Sequence, residues 1–196
     1  MPHHDVTRAE RITRHRHNGL VVWLTGLSGS GKSTLARRLE RLLFDQGLLV
    51  VVLDGDIVRN GLSANLGFSP TDRSEQVRRV AEVARLFGDS GFIVIVALIS
   101  PFAEDRARAR QIVGRGDRLD FVEVYLDAGV EVCEQRDAKG LYRKARLGQI
   151  ADFTGVSATY EAPTHPDLLL GTGSQTVEES LRLLHERVSR LALGNA

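Results

Sequence analysis

Gly26-Leu27-Ser28-Gly29-Ser30-Gly31-Lys32-Ser33-Thr34 follows five apolar residues, Leu20 to Leu24. A helical pattern comes next, with Leu35, Leu39, Leu42 and Leu43 on one face and Gly47 as its stop. The stretch fits G-x-x-x-x-G-K-[ST] in the strand–loop–helix setting that phosphate binding needs. Its glycines let the backbone curl so that successive N–H groups point at one anion, and the helix start adds the positive end of its dipole. Gly26 to Thr34 are therefore candidates for holding nucleotide phosphates. Lys32 would reach the outer phosphates and the Ser33 hydroxyl would ligate Mg2+. The competing reading, a glycine-rich turn that merely joins strand to helix, leaves the Lys-Ser pair and both correct flanks unexplained. A nucleoside triphosphate is the predicted ligand.

Composition sets limits around that loop. The 196 residues suit one domain with a substantial core, and 42% apolar with 26% charged residues is ordinary for a globular chain. A net charge of +1 supplies no bulk field for nucleic acid or a membrane, so neither is expected as a partner. The longest apolar run, Phe92 to Ile99, is too short to span a bilayer, and the N-terminus carries no apolar signal segment. A cytoplasmic location is the expectation. The single cysteine, Cys133, excludes an internal disulfide and a zinc-type cluster; its valine neighbours predict a buried, inert thiol.

Residues 1–19 are polar, with four arginines and four histidines, and read as a solvated arm. His3-His4 and the His15/His17 pair lack an acid or cysteine to complete a metal set. Leu48 to Leu53 is a continuous apolar run, as expected of a strand buried on both faces of a parallel sheet. It ends in Asp54-Gly55-Asp56, and strand ends of this kind border the ligand crevice in open α/β sheets. These carboxylates can serve Mg2+ or a substrate hydroxyl; the plainer alternative is a polar strand end followed by a helix cap. Residues 57–70 are irregular. Ser69-Pro70 then opens a helix to about Ser90 with Val77, Val80, Ala81, Ala84 and Phe87 inward. Arg73, Arg78 and Arg79 sit near its start, where the dipole prefers acids, a local conflict of the kind found at functional sites.

Phe92 to Ile99 is a third strand and ends in Ser100-Pro101 with no acidic residue. Asp120 to Leu126 is a fourth, Val130 to Arg136 a short helix, and Leu168 to Leu170 a weak last strand. Between the last two lies Arg136-Asp137-Ala138-Lys139-Gly140-Leu141-Tyr142-Arg143-Lys144-Ala145-Arg146, basic and weakly periodic. It suits a mobile lid over phosphates, at about 136–157, as well as it suits an exposed loop. Thr176 with Glu179 forms a capping box for the closing helix. Strands alternating with helices predict α/β architecture: a single P-loop nucleotide-kinase-type domain over 20–196, with a five-stranded parallel sheet flanked by helices. The residues themselves point to a phosphotransferase acting on a small acceptor.

In order along the chain, GLSGSGKST, LDGD-x-VR-x-GL, LGFS-x-x-DR, ISPF, CE-x-RD-x-KGLY-x-KAR, FTG and YE-x-P resemble the adenylylsulfate kinase (APS kinase) family over about residues 18 to 190. The resemblance implies transfer of phosphate from MgATP to the 3′-hydroxyl of adenosine 5′-phosphosulfate (APS), with ATP and Mg2+ as cofactors, in sulfate activation. It implies Gly26 to Thr34 and Arg136 for ATP, Lys32, Asp54 and Asp56 as catalytic groups, and Ser33 with Asp54 for Mg2+. Asp56 would orient or deprotonate the acceptor hydroxyl. For APS it implies Arg59 and Arg73 on the phosphosulfate, Phe68 and Phe153 on the adenine, and Gln76, Ile99, Ser100, Lys139 and Leu141 around them, with Tyr142 close by. In some members the serine at position 100 becomes phosphorylated. A homodimer and association with an ATP sulfurylase are also implied.

The chain departs from the family pattern in places. Ile57 replaces a common asparagine after the DGD, Gln76 another that contacts APS, and Asn65 an aspartate; the acid often found after the last strand is missing. Gln76 keeps the amide but adds a methylene, which bears on affinity for APS and not on reaction class. Two other readings stay open at this point. One is a kinase for a different small acceptor. The other is a nucleotide-binding regulatory subunit without turnover, though no N-K-x-D guanine motif is present.

Overall fold

The computed structural model describes residues 6–115, 119–137 and 139–194. Strands β1 (Leu20–Thr25), β2 (Val50–Asp54), β3 (Ile93–Ala97), β4 (Asp120–Leu126) and β5 (Leu168–Leu170) form one sheet in the order β2-β3-β1-β4-β5, with every pairing parallel. Helices are α1 (Arg8–His15), α2 (Lys32–Asp45), α3 (Gly55–Val58), α4 (Pro70–Asp89), α5 (Ala103–Val113), α6 (Val130–Arg136), α7 (Leu141–Arg146) and α8 (Val177–Leu193). The five-stranded parallel sheet flanked by helices is thus the architecture that the alternating pattern predicts.

Strand β1 is central, and all six of its residues are buried. Leu20, Val22 and Leu24 pack beneath α2 and α8, against Leu35, Leu39, Leu43, Leu184 and Val188. Val21 and Trp23 face the other way, into a layer with Val80 and Ala84 of α4 and Ile112 of α5. Two-sided burial is why β1 reads as an unbroken apolar run. Its carboxyl end leads straight into residues 26–31, placing the phosphate loop at the middle of the sheet's ligand-bearing edge.

Some expectations need correcting. β2 is an edge strand, so Val50 to Leu53 are half-buried instead of enclosed. Leu42 and Phe87, assigned to inward faces, are over a third exposed; each lies at the margin of its helix's apolar stripe, and Phe87 meets Phe92 edge-on at 5.6 Å. The single turn α3 starts in the Asp54-Gly55-Asp56 turn and runs into the irregular stretch, capped by Asp54 Oδ1 accepting from the Asp56 N–H at 2.9 Å. Residues 8–15, read as part of a solvated arm, form the helix α1 with a Thr7–Glu10 capping box and no buried residue. The arm's end is not solvated. His17 is buried, its Nε2 accepting from the Leu49 N–H (3.1 Å), and the Asn18 N–H donates to the Ala192 carbonyl at 2.7 Å. His3 and His4 lie outside the described residues.

Among the described residues no helix is long and apolar enough to cross a membrane, and no group of metal-ligating His, Cys, Asp and Glu side chains gathers.

Candidate active site

The phosphate loop is shaped by contacts that leave no room for side chains. A Cβ on Gly26 would stand 2.7 Å from the Leu126 carbonyl oxygen, and one on Gly29, whose φ is 80°, 2.9 Å from that of Cys133. Gly31 caps α2 without a side-chain hydrogen bond, so the helix's first N–H groups are left for an external acceptor. The Lys32 ammonium is buried at the centre of the loop, donating to the carbonyls of Gly26 (2.8 Å) and Leu27 (2.6 Å) and to Ser30 Oγ (3.4 Å). Burial pushes its pKa down to about 8.

The phosphate loop, the β2 turn and parts of residues 136–154 line one cleft of about 840 Å³. That volume lies within the range of small-molecule sites. Asp54 stands at the end of β2 with Oδ2 buried and without a hydrogen-bond partner. An unpartnered buried carboxylate oxygen is costly unless something positive completes it. Oxygen donors from Asp54 and Ser33, both lining the cleft, suit a hard divalent cation such as Mg2+. The next carboxylate, Asp56, is exposed and forms an ion pair with Lys139.

Arg59 and Arg73 converge on Phe68, at 4.3 and 5.8 Å from the ring centroid. Burial lowers the pKa of both guanidinium groups, and for Arg59 the neighbouring Arg73 adds to the effect. Arg59 donates to the Gly67 carbonyl (2.8 Å) and to Gln76 Oε1 (2.5 Å). Gln76, buried, turns its Nε2 to the Gly55 carbonyl at 3.4 Å. It therefore braces Arg59 against the β2 turn, a use for the longer amide that its sequence position did not reveal. Arg73 donates to the carbonyls of Phe68 and Asp152, each at 2.9 Å, linking the start of α4 to the lid. The other arginines of that helix start are accounted for locally. Arg78 and Arg79 both bond Glu75, whose carboxyl they hold at about 2, and Arg79 also reaches Asn65 Oδ1 at 2.7 Å.

Residues 136–157 pack into a small third core, in which Tyr142, Ala145 and Phe153 meet Leu27 of the loop, Ala128 and Cys133. Cys133 is buried as expected, and burial raises its thiol pKa. Tyr142 donates to the Ser28 carbonyl at 2.9 Å, and Phe153 lies edge-on to it at 4.9 Å. Phe153 is therefore buried where Phe68 is 58% exposed. Both line the cleft with Leu141 and Lys139, but their rings are not equivalent in surroundings. Arg136 bridges the Gly29 and Thr172 carbonyls at 3.4 and 2.7 Å. Thr172 and Gln175, ahead of α8, and Thr176 and Val177, at its start, also line the cleft; of these only Thr176 carried a sequence motif, the capping box, which does not point to ligand binding.

Ile99 and Ser100 line the opposite wall. Ser100 has a φ of 41° and is buried; its Oγ accepts from Trp23 Nε1 (3.1 Å) and donates to Thr25 Oγ1 (3.0 Å).

The sequence pattern of the adenylylsulphate kinase family matches residues 18–171. The adenylyl-sulfate kinase of Bacillus pumilus is 51% identical over 191 residues, 96% of this chain and 95% of its own length. That of Staphylococcus haemolyticus is 50% identical over 182 residues, 93% of this chain and 90% of its own. A solved APS kinase of Mycobacterium tuberculosis, in complex with AMPPNP and APS, superposes with a TM-score of 0.83 at 46% identity, covering 88% of this chain and 98% of that one. A hexameric APS kinase from Thiobacillus denitrificans, at 30% identity and a TM-score of 0.68, covers 93% of this chain and 31% of its own.

Proposed function

The chain belongs to the adenylylsulphate kinase family, and on that premise we propose how its own residues carry out ATP-dependent phosphorylation of adenosine 5′-phosphosulfate at the 3′-hydroxyl. One observation carries the proposal. The phosphate loop, the β2 turn (Asp54 to Asp56) and the Arg59–Phe68–Arg73 cluster all line the same cleft. A donor and an acceptor nucleotide can therefore meet at that turn.

On the donor side, the N–H groups of the loop and of the start of α2 receive the ATP phosphates. Lys32 exchanges its loop carbonyls for phosphate oxygens, and Arg136 lies beside the loop toward the start of α8. Ser33 and Asp54 would hold Mg2+, which when bound neutralises charge on the phosphate oxygens. On the acceptor side, Arg59 and Arg73 offer forked donors to the phosphosulfate, and Phe68 and Phe153 offer apolar faces to the adenine. Gln76 serves by holding Arg59. Asp56 receives or orients the 3′-hydroxyl, and Lys139 and Leu141 close over it from a lid that opens for exchange. In-line positioning and charge neutralisation contribute more than full proton removal, because the transition state of phosphoryl transfer is loose.

Ser100 enters this scheme through its backbone. Its hydroxyl both accepts and donates inside the protein, so phosphorylation there would break buried bonds. Assembly as a homodimer in the cytoplasm, with an ATP sulfurylase supplying the acceptor, extends the proposal. Gel filtration, alone and with the sulfurylase, tests that extension.

The test of the function itself is ADP release from MgATP with APS, AMP or gluconate. Turnover with APS alone is expected. Turnover with gluconate or AMP instead would replace the acceptor, and tight ATP binding without turnover would favour a regulatory subunit.

A further inference from the structure

Behind the acceptor wall lies a buried polar network that the reaction scheme does not use. Thr25, the last residue of β1, has one hydroxyl proton, and its closest acceptor is the Ile99 carbonyl at 2.7 Å. With the Ser100 carbonyl farther off at 3.5 Å, its oxygen must then accept from its two hydroxyl partners, Ser100 Oγ at 3.0 Å and Tyr160 at 2.9 Å. Ser100 Oγ, having given its proton to Thr25, accepts from Trp23 Nε1 at 3.1 Å. Each proton in the chain thus has one direction, and each oxygen is satisfied. Such closed networks fix one arrangement, since any break leaves a buried group unpaired.

Arg106 of α5, 3% exposed, completes the frame. Its Nη1 donates to the Ser100 carbonyl at 2.8 Å, its Nη2 to the Glu161 carbonyl at 2.6 Å, and its Nε to Glu123 Oε1 at 2.8 Å. Glu123 supplies the countercharge that makes its burial tolerable. The 153–161 segment is clipped on at further points. The Glu161 N–H donates to the Pro101 carbonyl at 2.9 Å, and Glu161 Oε2 accepts from the Ala103 N–H at 2.7 Å, at the start of α5. Phe153 heads that segment, its carbonyl accepting from the N–H groups of Val156, Ser157 and Ala158. What the network holds is a backbone that does not rest there unaided. Ser100 is in the left-handed region, costly for a residue with a Cβ.

We propose that Thr25, Tyr160 and Arg106 are positioning residues for the acceptor, fixing the Ile99–Ser100 backbone at the cleft wall and locking to it the segment that carries Phe153. None of the three touches substrate in this scheme. They set the distance between the strand end and the aromatic ring that together define the acceptor's side of the cleft. The inference rests on APS being the acceptor.

The test uses Tyr160→Phe, which removes one buried donor and keeps the ring stacked on Tyr125. Its KM for APS is expected to rise about fivefold or more, the loss of one buried hydrogen bond, while the KM for ATP stays within about twofold. Thr25→Val should do the same, and the Thr25→Val/Tyr160→Phe double variant should be no worse than Thr25→Val alone, because the bond is already gone. Arg106→Lys keeps the charge and loses the fork, so the same one-sided rise is expected. An unchanged KM for APS in Tyr160→Phe, or an equal rise for both substrates, would overturn the proposal. Should the wild-type chain release no ADP with APS, the acceptor assignment fails instead, and the wild-type measurement distinguishes the two.

Discussion

Lys139, in the lid, forms an ion pair with Asp56, the second carboxylate of the turn after β2. Both side chains are more than half exposed, so the pair is worth only about 0–1 kcal/mol to the fold. Its value lies in what it brings together: a lid cation and the group assigned to the acceptor hydroxyl. Asp56→Ala is expected to lower kcat by about 10²–10⁴-fold, the range of a positioned acid–base group, with ATP affinity and melting temperature essentially unchanged. Lys139→Ala should likewise leave melting unchanged and act on the acceptor steps. Equilibrium ATP binding and single-turnover kinetics check both; a collapse of ATP affinity in Asp56→Ala would move Asp56 to the donor side.

Asp54 differs from Asp56 in being buried, with one oxygen capping α3 and the other unpartnered. Asp54→Asn keeps a carbonyl for the cap and removes the charge that a cation would meet. A Mg2+ titration of activity is expected to shift to higher concentration by tenfold or more, since about 1.4 kcal/mol of cation stabilisation is a factor of ten. An unshifted titration would take Asp54 out of the Mg2+ site.

The two aromatic residues should respond differently. Phe68→Ala, at an exposed ring, should weaken APS binding by about 1–3 kcal/mol, as for other base–aromatic contacts, and leave the melting temperature alone. Phe153→Ala should weaken APS binding comparably and also cost about 3–5 kcal/mol of stability, because its ring is part of the lid's core. Calorimetric titration with APS and thermal melts separate the two. Equal melting temperatures for both variants would contradict the buried placement of Phe153.

Lys32 sets a pH dependence. Burial favours its neutral form and brings its pKa from 10.5 to about 8, so above that pH the free enzyme loses the charge that meets the phosphates. kcat/KM for ATP should therefore fall above about pH 8, and Lys32→Arg should remove that limb. The lowered folded-state value also means that the unfolded chain binds the extra proton between about 8 and 10.5, so this group adds stability as pH rises there. Loss of activity over that window accompanied by melting would point to another cause.

How far the sequence carried this account depended on whether a feature is local. The loop, the strands, the Ser69 cap of α4 and the capping box of α8 are set by neighbours within a few residues, and Ser28 to Thr34, Asp54 and the strand-end Ser100 all line the cleft, whereas Gly26 and Leu27 lie behind it. Edge and centre are not local. β2 and β1 read alike as valine-rich runs, and only the strand order makes one half-exposed. Buried polar partners were the least legible. Arg106 belongs to no sequence motif, yet its contacts to Ser100, Glu123 and Glu161 come from residues 6 to 55 positions away. Gln76 reads in sequence only as a candidate APS contact; its hydrogen bonds to Arg59 and to the Gly55 carbonyl come from residues 17 and 21 positions away.

The most direct test of the central claim is the position of the transferred phosphate. Incubation with γ-labelled ATP, Mg2+ and APS, followed by phosphorus NMR of the isolated product, should place the label on the 3′-oxygen of the ribose with the 5′-phosphosulfate intact. Label on any other oxygen, or retained on the protein, would contradict a cleft in which Asp56 presents the 3′-hydroxyl to the phosphate loop.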